Sequence, residues 1–185
     1  MFEKKTIKDV DVKGQVVLVR ADYNVPLAKR EDGGMKVLSD FRMKESLPTL
    51  KYLLENGAKK IIIISHLGRP EGKDEELSLK VVAEHLKKLL PGVTVGFVGE
   101  CRGEEVEQAV EAMPEGSILV LENLRFEPGE KKNDEEFAED IVRSTGATLF
   151  VQDGFAVTHR AHASTSAIAK LIPAVAGLLV EKEVN

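Results

Sequence analysis

Apolar residues in this chain follow two recurring rhythms. Gln15–Val19 (QVVLV) and Lys60–Ile64 (KIIII) are β-branched runs with almost no polar alternation, the pattern of strands covered on both faces. Val93–Val98, Ile118–Leu121 and Thr148–Val151 predict three more strands. Between them, Leu79, Val82, Leu86 and Leu89 fall at spacings of three and four behind Ser78, one face of a helix. Val106, Ala109, Val110 and Met113 predict a second helix, stopped by Pro114. Asn133 with Glu136 reads as a capping box opening a third, which Gly146 closes. Leu47, Leu50, Leu53 and Leu54 predict a helix ending at Asn56–Gly57. Pro48 leaves it two starts, near Ser39 with a kink or near Ser46. Asp32–Gly34 and the acidic stretch Glu127–Glu136 read as surface loops.

Strands alternating with helices at this spacing imply right-handed crossovers and a mainly parallel sheet covered on both sides. The expected fold class is α/β, a three-layer αβα, doubly wound, Rossmann-like domain. No internal repeat or low-complexity linker divides the 185 residues, and one domain is expected.

Composition narrows the partners. Charged residues at 31% and apolar residues at 43% fit a soluble globular protein. A net charge of -5 lacks the broad positive footprint that nucleic-acid backbones require. One cysteine, Cys101, forbids an intrachain disulfide, and its sequence context favours a structural thiol. The start, MFEKKTIKDV, has no apolar signal region, and the apolar stretch Leu171–Val180 is too short to span a membrane. A cytoplasmic monomer without nucleic-acid or membrane partners is expected.

The chemistry lies where strands end. Five of the eight arginines sit in loop-like motifs: Arg20 in RADYNVP, Arg42 in SDFRM, Arg69 in SHLGRP, Arg125 in LENLRF and Arg160 in THRAH. A guanidinium offers a planar fork of donors matched to phosphate or carboxylate oxygens. Taken singly, an arginine is more often a solvated side chain. In open parallel sheets, however, ligands bind beyond the carboxyl ends of strands, and four of these motifs follow such ends. Arg20, Asp22 and Asn24 follow the first strand, and Ser65, His66, Gly68 and Arg69 the second. Glu122, Asn123 and Arg125 follow ILVL, while Asp153, His159, Arg160 and His162 follow TLFV. The set predicts a pocket for a small, multiply charged anion. His66 reads equally as an anion donor or a structural histidine. The pair His159 and His162 invites a metal, but the intervening Arg160 and the lack of a second ligand cluster favour an anion contact. There is no Walker loop, no G-x-G-x-x-G after the first strand and no evident Ser-His-Asp set.

RADYNVPL, FRMKESLPT, NGAKKIIIISHLGRP, LENLRF, PGEKKND, FVQDGFAVTHRAHAST and PAVAGLLVEKE together resemble the N-terminal domain of phosphoglycerate kinases, in order and nearly end to end. The resemblance implies a two-domain enzyme joined by a hinge. Its N-terminal domain, here residues 1–185, would hold 3-phosphoglycerate or 1,3-bisphosphoglycerate. A C-terminal domain outside this chain would hold Mg-ATP or Mg-ADP, so no cofactor is expected on these residues. By motif, Asp22 and Asn24 would meet the substrate's hydroxyl and carboxyl end, with Tyr23 between them. His66, Arg69, Arg125 and Arg160 would gather the remote phosphate, with Arg20 and His159 nearby, and Leu67 and Gly68 would also be substrate-binding. Arg42 would be catalytic, facing the transferred phosphoryl group. The expected partners are 3-phosphoglycerate and the chain's own C-terminal domain. Turnover is not expected without that domain.

Departures from the family pattern cluster in two places. Ala21 and Tyr23 stand where the family has Val and Phe, and the Tyr23 hydroxyl needs a partner. In VQDGFAVTHRAH, Gln152 replaces Asn and Ala156 replaces Gly, so a positive φ at Ala156 would be strained. Two other readings stay open. One is a non-catalytic anion-binding or interaction module that kept the fold; the other is a different α/β phosphosugar enzyme with convergent arginine loops.

Overall fold

The computed structural model describes residues 4–185. Its main sheet contains β1 (Val16–Arg20), β4 (Lys60–Ile64), β5 (Val95–Phe97), β6 (Ser117–Val120), β7 (Leu149–Gln152) and β8 (Ala174–Ala176). They run parallel in the order β5-β6-β4-β1-β7-β8. The five strands predicted from apolar runs are all present, three of them displaced by about one residue and β5 shortened. The order reverses between β1 and β7: from β1 the chain moves to β4 and outward, then returns to β7 on the other flank. That switch point is where an open sheet offers a crevice.

Neighbouring residues on each strand face opposite layers. Val17, Val19, Ile61, Ile63, Val120 and Val151 pack with Met43, Leu50, Leu53, Val82 and Leu86 of α1 (Phe41–Glu55) and α2 (Lys80–Leu89). Leu18, Ile62, Ile64, Leu119 and Phe150 pack with Val106, Val110, Phe137 and Ile141. Those four belong to α3 (Glu104–Ala112) and α5 (Glu135–Thr145). The three-layer, doubly wound expectation therefore describes the molecule, and the uninterrupted apolar runs follow from burial on both faces.

Several local expectations need correcting. Of the two starts open to the first helix, the earlier one is found, and α1 passes through Pro48 to Glu55. Pro48 cannot donate to the Lys44 carbonyl, but it lies on the exposed side where water can. The third predicted helix is capped by Asp134, whose side chain accepts from the Phe137 amide; Asn133 sits one residue outside with φ 52. Glu127–Glu136 is not simply a surface loop, because it holds α4 (Pro128–Lys131) and the fully buried Glu130. Ala156 lies in a 3-10 turn without positive φ, so the strain conditional on that backbone does not arise. Gln152 is accommodated by turning its Oε1 onto the Gly154 amide at 2.9 Å.

Several further elements had no sequence prediction. β2 (Leu27–Lys29) and β3 (Met35–Val37) form an antiparallel hairpin around the exposed Asp32–Gly34 turn. β8 lies at the sheet edge, where residues 5 and 6 run alongside it. It leads into α6 (Leu178–Val184).

The Tyr23 hydroxyl has its partner. Ser46 Oγ gives its proton to the Met43 carbonyl at 2.7 Å, so Tyr23 donates to Ser46 at 2.8 Å inside the core. Tyr23→Phe, which restores the family's usual residue, is expected to lower stability by about 1 kcal/mol in urea unfolding. A neutral or stabilising effect would contradict this hydrogen bond.

Candidate functional site

The carboxyl ends of β1, β4 and β6 carry three loops that are tied to one another before any ligand is considered. Gly68 stands at the centre. Its φ of 63 is left-handed, and a Cβ there would come within 3.0 Å of Leu77. Its amide donates to Asn24 Oδ1 at 2.9 Å, and its carbonyl accepts from Arg125 Nη1 at 2.8 Å. The Asn123 side chain clamps Leu67 from both sides, accepting from its amide at 3.2 Å and donating to its carbonyl at 2.7 Å. Ser65 Oγ accepts the Tyr23 amide at 2.9 Å. The SHLGRP turn is thereby fixed to the loops after β1 and β6, which favours preorganisation over an open, mobile rim.

The arginines fall into two groups. Arg20 is buried in the wall. Its guanidinium donates to Ser164 Oγ at 2.8 Å, to His66 Nδ1 at 2.8 Å and to the Ala21 carbonyl. Burial lowers its pKa to about 10, opposed by Glu130 and Asp22. Arg42, Arg69 and Arg160 are exposed, and Arg125 is half-buried. Burial first, then the positive charges of Arg20, Arg125, Arg160 and Arg42, push His66 down to about 2. Arg125 is likewise lowered, by burial and then by Arg160, with Arg69 a further positive neighbour. All five arginine motifs therefore meet in one electrostatic neighbourhood. Such a concentration of guanidinium charge within an acidic chain suits a compact, multiply charged anion.

Not every predicted residue offers its side chain. Tyr23 and Leu67 are buried in the core, so they shape the edge through their backbones. Asp22 accepts from Arg42 Nη1 at 2.7 Å, orienting that exposed arginine over the β1 loop. His159 is exposed and borders a separate hollow of about 860 Å³ along β8, shared with Lys5, Gln152 and Val184. Cys101 is buried, its thiol donates to the Glu122 carbonyl at 3.1 Å, and burial pushes its pKa well up. A structural thiol fits that setting.

Carboxylates at this edge are tied into the fold by hydrogen bonds, although Glu130 Oε2 and Asp153 Oδ2 have no partner. Glu122 accepts from Ser78 Oγ at 2.7 Å and the Leu79 amide at 2.9 Å, at the start of α2. Glu130 accepts from Ser164, and Asp153 from the Leu179 amide at 3.0 Å. Among the described residues no three His, Cys, Asp or Glu side chains gather as a metal site. These residues do not fit a divalent cation. Sequence reading missed Glu130 and Ser164, because an acidic run and an Ala-Ser-Thr segment give no sign of joining in the interior.

Asp153 and His66 titrate in opposite senses. Burial raises the Asp153 carboxyl from 3.8 to about 6, against the nearby Thr49 and Val180 and the Leu179 amide, which donates to its Oδ1 at 3.0 Å, all of which favour the anion; its Oδ2 has no partner. Between these values the folded chain holds a proton that the unfolded chain has lost, so stability falls as pH rises through them. Folded His66 stays neutral below its ordinary 6.5 while the unfolded ring takes up a proton, so stability falls as pH drops below 6.5. Each slope reaches up to ~1.4 kcal/mol per pH unit, and between about pH 4 and 6 they oppose. Asp153→Asn is expected to lose stability towards acid more steeply than the parent chain, and His66→Gln less steeply. Urea midpoints at pH 4, 5 and 6 check this; parallel curves for all three chains would contradict it.

Comparison with known proteins agrees with the fold. The family model described as "Phosphoglycerate kinase" matches residues 7–185. A phosphoglycerate kinase of Pseudothermotoga lettingae is 50% identical over 185 residues, covering 100% of this chain and 45% of that protein. "Phosphoglycerate kinase, cytosolic" of Triticum aestivum is 48% identical over 181 residues, covering 97% of this chain and 43% of that protein. The structure of phosphoglycerate kinase from Coxiella burnetii superposes with a TM-score of 0.81 at 33% identity, over 98% of this chain and 43% of the other. The chain thus spans rather less than half the length of the relatives it matches. From motif order to strand order, the similarity runs through the whole described chain, which belongs to the phosphoglycerate kinase family.

Proposed function

We propose that residues 1–185 are the N-terminal, substrate-binding domain of a phosphoglycerate kinase and that the arginine edge holds 3-phosphoglycerate or 1,3-bisphosphoglycerate. The observation that carries this reading is the joining of Arg20 to His66 Nδ1 at 2.8 Å and of Arg125 to the Gly68 carbonyl at 2.8 Å on one sheet edge, where the charges of Arg125, Arg160 and Arg42 add to that of Arg20 in holding the His66 pKa down. In this reading Arg69, Arg125, Arg160 and His66 take the phosphate remote from the chemistry. Asp22 and Asn24 meet the hydroxyl and carboxyl end. Arg20 stands behind His66, and His159 lies at the margin. Arg42 faces the phosphoryl group in transfer, where its donors stabilise charge that grows in the transition state.

The whole enzyme would pass that group reversibly between 1,3-bisphosphoglycerate and ADP, a glycolytic reaction. Mg-nucleotide would supply the phosphoryl donor or acceptor from a C-terminal domain outside this chain, the domain's partner in closure. No described helix is long and apolar enough to cross a membrane, and the wheat relative is named cytosolic; both support a cytoplasmic setting.

Calorimetric titration with 3-phosphoglycerate, with inorganic sulfate as control, tests the reading. The substrate is expected to bind more tightly than sulfate and to weaken on Arg160→Ala, a change at an exposed position that spares the fold. Binding no better than sulfate, here and in a chain extended by the missing portion, would favour the non-catalytic module.

A further inference from the structure

We propose that Glu130 and Ser164 are positioning residues which, through Arg20, hold His66 as a neutral imidazole with its proton on Nε2, a fixed donor towards an anion. This rests on the reading of the arginine edge as an anion site. It goes beyond it by naming two residues that touch no ligand and the protonation state they impose.

The polarity follows from what each group is able to donate. Glu130 is a carboxylate and only accepts. Its Oε1 receives both the Ser164 amide at 3.0 Å and the Ser164 hydroxyl at 2.9 Å. With its one proton spent on Glu130, Ser164 Oγ presents a lone pair to Arg20, whose Nε donates to it at 2.8 Å. Arg20 has donors only and keeps its charge. Its Nη2 lies 2.8 Å from His66 Nδ1, so Nδ1 must carry the lone pair. The remaining ring proton is then on Nε2. An imidazolium would turn an N–H on Nδ1 against the guanidinium, and the other neutral tautomer would do the same.

Geometry keeps the chain of donors from rearranging. Arg20, His66, Ser164 and Glu130 are 1%, 4%, 0% and 1% exposed, so water does not stand in for a lost partner. They come from four separate places: β1, the turn after β4, α4 and the helical turn at Ala163–Ala167. The charges facing His66 from β1, α1 and the loops after β6 and β7, namely Arg20, Arg42, Arg125 and Arg160, are all positive and reinforce the neutral ring. The His66 contact to an anion therefore does not wait on its protonation. It persists through the pH range in which a free histidine would change charge.

The test is a long-range proton–nitrogen correlation spectrum of the chain with labelled histidine, between pH 5.5 and 8. His66 is assigned by its loss in His66→Gln. The expected result is an unprotonated Nδ1 and a protonated Nε2, unchanged across that range. Ser164→Ala is expected to mix the tautomers or bring titration into the range, and to weaken inorganic phosphate binding at least fivefold at pH 7.5. Glu130→Gln keeps an oxygen for Ser164 without the charge and is expected to move both readouts in the same direction, less far. A protonated Nδ1 in the parent chain would overturn the proposal whether or not the variants fold. Spectra and phosphate affinity unchanged in both folded variants would overturn the positioning role. Failure of phosphate to bind the parent chain, with the Nε2 proton in place, would instead sink the anion-site reading and leave the tautomer assignment standing.

Discussion

In a two-domain enzyme built on these residues, Arg42→Ala is expected to slow phosphoryl transfer by roughly 10²–10³-fold, the usual cost of removing one preorganised donor to a developing charge. Arg42 opens α1 and is held over the β1 loop by its 2.7 Å contact with Asp22, so its direction is set before substrate arrives. About half of its side-chain surface, 47%, still faces solvent, which leaves the guanidinium able to meet a ligand. The loss should fall mainly on the rate constant rather than on 3-phosphoglycerate affinity, because the anchoring arginines remain. Lysine should restore little of it, since a point charge cannot reproduce the planar fork. A loss confined to affinity would mean that Arg42 belongs to the anchoring group.

Gly177→Ala is expected to cost about 3 kcal/mol of stability, at the upper end for an overpacked interior. A Cβ at Gly177 would lie 2.1 Å from Asp153 Oδ1 and 2.5 Å from its carboxyl carbon. Neither side has room to yield. Asp153 is fully buried, with Oδ1 on the Leu179 amide at 3.0 Å, while the Gly177 amide is fixed to the Gln152 carbonyl at 2.9 Å. The Leu178 amide is held in turn by Thr49 of α1 at 2.9 Å. Displacing Gly177 would therefore loosen α6 from both β7 and α1. Adding Asp153→Ala should recover part of the loss, making the double variant better than the sum of the singles in urea unfolding. Strict additivity would show that the two side chains do not compete for this space.

How far the sequence told this in advance depended on whether a signal was local. The KIIII run can hardly be anything but a doubly covered strand, and the motif edge followed once strands and their ends were located. The β2–β3 hairpin has three-residue strands with partly exposed faces, too short for alternation to register. Pro48 suggested a break, yet α1 continues because the Lys44 carbonyl left without a donor lies on the exposed side, where water can reach it. Asp134 and Asn133 are equally good caps in composition, and only the backbone separates them. At the site, charge alone located the arginines but not their division of labour. Arg20 reads like its four companions, yet it is buried because Ser164, Glu130 and His66 stand around it. Glu130 meets Ser164 across 34 residues, a pairing no spacing rule reaches. Tyr23 and Leu67 lie inside binding motifs but turn into the core, since alternating side chains at a strand end cannot all face the crevice.

Residue-by-residue mapping of 3-phosphoglycerate binding by amide chemical shifts decides whether the arginine edge is the substrate site. Shifts are expected to concentrate at Asp22–Asn24, His66–Arg69, Arg125 and Arg160 and to saturate together. Shifts centred instead on Lys5, Gln152 and Val184 along the β8 hollow, or none beyond those caused by sulfate, would contradict it.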